Sequence, residues 1–387
     1  MVLYWFELKK LLASAAVWGF LAACLLFNMI VVIVQGHDDY ADVVGAVSKE
    51  TGVVLDDAFH ERLLRAASGG GLSAHQLERL QHETRGVTDV FDGYETRTIA
   101  ERYVAAAGIT GWFAEAMRDK YAALQKAVDA KAKRDESLTL YFAGSTHARH
   151  QFLFDTLTGW LITEGALVAV LLVLLSAGYE TIHRTGHVVY ATKTGREVLR
   201  PKLAAALTAG IGAYFVLAFA TFLVHLGLSE YGSVWNSSVS SLFNYRIDFV
   251  AGLRPFVTWH SFSVLTYGLA MIGAGAALVL CFSLIAFGIG LFVRNGYLAF
   301  LVFLIANATA VVLPIQIPHA AEAVLAAKYA AMLLPVWLWL KHGIWFTDGD
   351  IDIIWPHFET VGLCVSLAAA AASRLLAARH FRKRNLS

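Results

Sequence analysis

The side chains that could do covalent or metal chemistry are few and poorly spaced for it. In "HARH", His147 and His150 could hold a metal only with a third ligand that the sequence does not identify. In "HQLERLQHE", His75 and His82 share a helical face two turns apart, without the H-E-x-x-H spacing of a zinc protease. No G-x-S-x-G occurs, and no pair of acids stands out. The phosphate-binding pattern G-x-x-x-x-G-K-[ST] is also absent, since the nearest glycine-rich stretch, "ASGGGLS", lacks the lysine. Cys24, Cys281 and Cys364 each fall inside an apolar run, where neither a disulfide nor a zinc site is expected. The expectation is a chain with no catalytic residue, no metal site and no cofactor of its own.

Two other groups of residues carry more information. Asn28, Glu164, His225, Asn307 and Glu359 lie in or near apolar segments. A charge at mid-bilayer costs at least about 2.5–3.5 kcal/mol, so such groups usually face a bundle interior or a water-filled path. Asn28, Glu164 and His225 are the candidates for a polar pathway. For Glu164 the alternative is an interfacial acid reaching water, and Glu359 is read that way. The second group is the stretch "ETIHRTGHVVYATKTGREVLRPKLAA", with Arg184, Lys193, Arg196, Arg200 and Lys202 against Glu180 and Glu197. Tyr179, Ile182, Gly186 and Val189 or Tyr190 form one helical stripe, which predicts a short amphipathic helix. Thr194 and Glu197 have capping-box spacing, and Pro201 predicts an elbow. An ordinary loop touching lipid phosphates explains the charge; a docking surface explains the stripe and the cap as well. Its candidate residues are Ile182, His183, Arg184, His187, Val189, Tyr190, Lys193 and Arg196.

The elements that must position these residues are apolar. The 387 residues are 57% hydrophobic and 16% charged, with a mean hydropathy of +0.57. A soluble domain would be nearer about 45–50% apolar and 25% charged. Six long runs, Leu11–Val34, Leu157–Tyr179, Leu203–Leu228, Ser261–Val293, Tyr297–Ile317 and Phe358–Ala378, predict an all-α polytopic membrane protein. Ser261–Val293 is over-long, so it tilts or follows an interfacial turn. Lys9, Lys10, the basic patch, Arg294, Arg379, Arg382, Lys383 and Arg384 fall on one side. The short loops opposite hold only Arg246, Arg254, Lys328 and Lys341, so both termini are expected in the cytoplasm. The net charge of +1 points to no nucleic-acid partner.

The expected organisation is an N-terminal elbow and first span at 1–35, an extracellular, mostly helical domain at 36–155, and five spans at 156–387. The last part includes the cytoplasmic loop 180–202 and outer interfacial helices at 318–355. Within 36–155, Leu77, Leu80 and Val87 fit one face, and Trp112, Phe113, Met117, Tyr121, Leu124 and Val128 another. Trp337, Trp339, Trp345 and Trp355 are expected as interface anchors, with Pro335 as a break. "GAGAA" (273–277) and "GIG" (288–290) suit close helix contact, within the chain or across a dimer.

The order "FELKKLL", span, long outer insert, span, "YETIHRTGHVVYATKTGREVL", span resembles the permease subunits of ABC-2-type ATP-binding-cassette transporters. The likeness is to bacterial permeases with a large outer insert after the first span; "YATKTGR" is its most specific part. The resemblance implies an elbow helix at Met1–Lys10, a coupling helix at Glu180–Tyr190 and re-entrant outer helices around Ala321–Phe346. It also implies two ABC ATPase subunits that bind ATP and Mg, a second permease (identical or related), and the lipid bilayer of a bacterial cytoplasmic membrane. The expected role is export of a peptide, lipid or drug-like substrate. Two rivals remain: a non-transporting membrane protein whose extracellular domain recognises a peptide or envelope component, and a secondary transporter relaying protons through Glu164 and His225. Against the latter stands the lack of an internal repeat between the halves.

Overall fold

Where an apolar chain meets hydrocarbon, its backbone groups can pair only with one another, which selects long helices. A computed structural model describes residues 2–142, 146–185, 188–189, 195–244, 255–293, 295–316 and 322–383. The protein is 78% helical, and the described residues contain isolated bridges but no strand. A short helix, α1 (Val2–Leu12), breaks before α2 (Ala15–Gln35). The insert then supplies α3 (Asp39–Thr51), α4 (Phe59–Ser68), α5 (Ala74–Thr84), α6 (Arg97–Ala107) and α7 (Gly111–Ala132). After it come α8 (His147–Ile182), with a π-helical stretch at Gln151–Leu157, α9 (Leu199–Leu228), α10 (Val264–Phe292) and α11 (Gly296–Ile315). The chain ends with α12 (Glu322–Ala331), α13 (Pro335–Leu340) and α14 (Phe358–Lys383). Six of these, α2, α8, α9, α10, α11 and α14, are long and apolar enough to cross a membrane, as expected.

The bundle is built around α8. Its most apolar stretch is 72% buried, against 17% for α11, so α8 is central and α11 peripheral. Small residues let its neighbours approach: a Cβ on Gly165 would lie 2.5 Å from the Tyr214 ring, and one on Gly210 would lie 2.7 Å from Ala169. A Cβ on Gly275 would strike the Tyr214 hydroxyl, which donates to the Ile272 carbonyl at 3.1 Å. The "GAGAA" glycine therefore serves packing within the chain.

In the insert, Phe113, Met117, Tyr121, Leu124 and Val128 form a buried stripe of α7 as predicted. Trp112 does not join it: at the first turn of α7 it is 56% exposed. Phe243, Val257, Trp259, Leu325, Tyr329 and Ile354 complete this core. They come from the connections preceding α10 and α14, so those connections lie at the insert end of the bundle. The insert is also clasped to the bundle backbone to backbone. A Cβ on Gly45 of α3 would collide with the Glu230 carbonyl, and Gly232, at φ +52°, abuts the Gly45 carbonyl. Gly45→Ala is expected to cost about 1–3 kcal/mol in thermal or denaturant unfolding. Gly19→Ala, with nothing within 4 Å, should cost nothing.

Several local expectations are corrected. Pro201 makes no elbow; it sits in the first turn of α9, where its missing N–H would have had no partner anyway. Pro335 begins α13. Trp345 is fully buried and donates to the Leu338 carbonyl at 3.1 Å, so it is a core residue, not an anchor. Trp337 and Trp339 likewise donate inward, to the Ala310 carbonyl at 2.9 Å and the Thr163 hydroxyl at 3.0 Å.

Candidate functional site

The predicted docking surface begins where α8 ends. Glu180 and Ile182 belong to α8 itself, and the chain turns at His183–Arg184, held by the Thr185 amide donating to the Glu180 carbonyl at 2.9 Å. Ile182 is 60% exposed, His183 and Arg184 are exposed, and Val189 is half-buried. The His183 ring leans on Tyr179, with centroids 4.3 Å apart. Arg184 has φ +55°, a left-handed conformation that usually falls to glycine at a helix end. His187, Tyr190, Lys193 and the capping Thr194 lie outside the described residues, as does the Arg196 side chain; the Arg196 backbone lies in a short 3-10 turn, Gly195–Val198.

Two residues counted in the basic stretch are not surface charges at all. Lys202 is fully buried at the start of α9, and Glu180 is buried near the end of α8. The Lys202 ammonium pairs with the Glu180 carboxylate and donates to the Ser176 carbonyl at 2.8 Å. Lys10 of α1 stands over the Tyr179 ring, 4.5 Å from its centroid, and pairs at 2.8 Å with buried Glu7. Lys202 lies 5.9 Å from the same centroid. α1, α8 and α9 are thus tied at the root of the exposed turn. A lysine one turn into an apolar helix, a turn away from an acid on its neighbour, was the available signal.

The polar residues of the bundle are partly brought together. Asn28 donates to the Glu164 carboxylate at 2.7 Å and to Thr221 at 3.2 Å. Both Asn28 and Glu164 are buried, so Glu164 is not an interfacial acid reaching water. His225, one turn along α9 from Thr221, faces the Tyr231 hydroxyl at 2.8 Å. Among the described residues the Asn28 Oδ1 and His225 Nδ1 atoms have no hydrogen-bond partner. Asn307 instead donates to the Phe303 carbonyl of its own helix, at 2.8 Å. Glu359 is also buried, against expectation: it accepts from Thr360 at 2.9 Å while its Oε2 has no partner. His150 is packed among aromatic rings with Nδ1 2.7 Å from the Tyr141 hydroxyl. Among the described residues no three His, Cys, Asp or Glu side chains are placed to hold a metal.

A third cluster was missed. Lys120, on the buried stripe of α7, donates to the carbonyls of Asp348 at 2.8 Å and Ile353 at 2.7 Å. Tyr121 donates to the Asp348 carboxylate at 2.8 Å. Burial pushes Lys120 down to about 8, against the opposing pull of Asp348 and Asp350. Burial pushes Asp348 up to about 6, moderated by Lys120 and the Tyr121 hydrogen bond. Lys341 pairs with Asp350, and Lys328 with Asp352 at 3.2 Å, so these two ion pairs join the Lys120 and Tyr121 contacts in pinning the connection between α13 and α14 beneath the insert. A lysine at i+3 from Met117 and i−4 from Leu124 marks the wrong face for a solvated charge. Comparison with protein-family models, curated proteins and solved structures gives no match.

Proposed function

We propose that this chain is the membrane subunit of an ATP-binding-cassette exporter, powered by a separate ATPase that bears on the exposed turn after α8. The observation that carries this reading is the buried Glu180–Lys202 pair at the root of that turn. A loop that only contacted lipid would need no such tie. A loop that receives a push needs one, because force at Ile182–Arg184 must reach α9 and α1 without being absorbed at the junction. The left-handed Arg184 supports the same view, since a basic side chain is kept where glycine would be less strained. Lys9, Arg184, Arg200 and Arg379 are exposed at this end of the bundle, which the positive-inside tendency puts in the cytoplasm. A second permease, identical or related, would complete the pathway, and the cluster of Asn28, Glu164 and Thr221 would line its polar part.

A second reading rests on the clamp between α7 and the connection into α14. A ligand on the insert could bias the last span through Lys120 without any transport. The two readings part on one experiment: co-purification with an ATPase encoded beside this chain, repeated with Ile182→Ala and Arg184→Glu together. The expected result is at least about tenfold weaker association, as for loss of a central interface anchor. A complex that survives intact, with ATP turnover still coupled to the membrane subunit, would remove the docking assignment.

A further inference from the structure

A cavity of about 310 Å³ lies where α7 meets the connection into α14. Trp112, Glu115, Ala116, Asp119 and Lys120 line it from α7, with Trp112, Glu115 and Asp119 at spacings that share one helical stripe, and Ile354, Trp355 and Pro356 close it from the other side. Trp112 is 56% exposed, although the neighbouring aromatic side chains Phe113 and Tyr121 of α7 are buried. The Trp355 indole is held in place by its N–H donating to the Tyr329 carbonyl at 3.2 Å. Glu115 and Asp119 are exposed, and neither takes part in an ion pair among the described residues. The Lys120 ammonium turns away from the cavity to two carbonyls, and Arg118 makes its hydrogen bonds to Glu101, at 3.0 and 3.2 Å, while standing near enough to Glu115 to feel its charge.

An exposed indole at this end of the bundle could instead anchor in lipid headgroups. Two carboxylates without an ion pair on the same stripe oppose that, because sinking them beside the indole into the interface would cost their hydration. The face belongs in water. There, two indoles offer negative ring faces and apolar area, and two carboxylates offer charge.

We propose that this cavity binds a small organic cation, an ammonium or guanidinium on an apolar stem, with the stem against the indoles and the charge at Glu115 and Asp119. The volume falls at the small end of the range for small-molecule pockets, about 300–1,000 Å³. Because one wall ends at Pro356, two residues before α14 begins, occupancy would bear on the entry to that helix. The proposal stands whether or not an ATPase drives the chain.

Calorimetric titration of the full chain in detergent micelles tests it, with hexylguanidinium as probe and neutral hexylurea as its near-isostere. The cation is expected to bind saturably, at least about tenfold tighter than the urea. Glu115→Gln with Asp119→Asn should weaken the cation at least about tenfold, and Trp112→Ala should do the same. All three residues are exposed, so thermal unfolding should not change. Equal binding of the two probes, or undiminished binding by the double variant, overturns the site. A blocked peptide with one arginine that binds more tightly than hexylguanidinium overturns the small-molecule assignment in favour of a polypeptide side chain.

Discussion

Lys202→Met is expected to destabilise the folded chain by about 3–5 kcal/mol, read as a lower denaturant midpoint in micelles. Removing the ammonium strands the Glu180 carboxylate, which is buried and has Lys202 as its ion-pair partner. It also leaves the Ser176 carbonyl without the donor at 2.8 Å. The loss is a desolvation cost, so it should be reversible by removing the other charge. Glu180→Leu with Lys202→Met replaces the pair by apolar side chains and should recover most of the stability. That recovered variant separates packing from mechanism. It should fold, and on the exporter reading proposed above it should still bind an ATPase while coupled ATP turnover falls, because the tie beside the Tyr179 ring to Lys10 and Glu7 is weakened. A single variant as stable as the parent would mean that water reaches the pair, and the rigid-root argument would fail.

The large architecture was legible because length and hydropathy act additively along the chain. Each of the six apolar runs contains enough apolar residues to specify a long helix by itself, and the helix ends moved by about five residues or fewer, except that α8 begins ten residues before the expected Leu157, at His147. The buried stripe of α7 was legible for a related reason: helical periodicity puts Phe113, Met117, Tyr121, Leu124 and Val128 on one side. Burial set by another element was not legible. Trp112 lies one residue before Phe113, about 100° round the helix from it, and borders the cavity beside Trp355 instead of joining the core. Trp345, Glu359, Lys202 and Lys120 lie in core positions created by partners tens to hundreds of residues away. For the site, the inward placement of Asn28 and Glu164 followed from the rule that intramembrane polar groups face a bundle interior, but their pairing did not. The role of Lys202 did not, because a basic loop and a buried ion pair have the same composition. Four of the eight docking residues, Ile182, His183, Arg184 and Val189, stand in or beside the exposed turn.

Lys120→Met should produce the second large effect, and its signature is a pH profile. The parent has an Asp348 carboxyl whose folded pKa of about 6 lies above its ordinary 3.8. Its contribution to stability is therefore fully present below pH 3.8 and lost as the pH rises through about 6. Lys120 is displaced the other way, from 10.5 to about 8, so its contribution is present above pH 10.5 and lost as the pH falls through about 8. Between about pH 6 and 8 both groups are charged, and this cluster adds no slope to the parent's stability. Without the ammonium, Asp348 loses the nearest cation that holds its pKa down and shifts further up. The variant should then lose stability as the pH rises from 6 to 8, by up to about 1.4 kcal/mol per unit, where the parent is level. At pH 8 the total loss should be on the order of 3 kcal/mol, as for a buried charge deprived of its partner. Asp348→Asn in the same background should flatten the profile again. If Lys120→Met keeps a level profile between pH 6 and 8, water reaches Asp348 and the insert is not sealed onto the connection into α14.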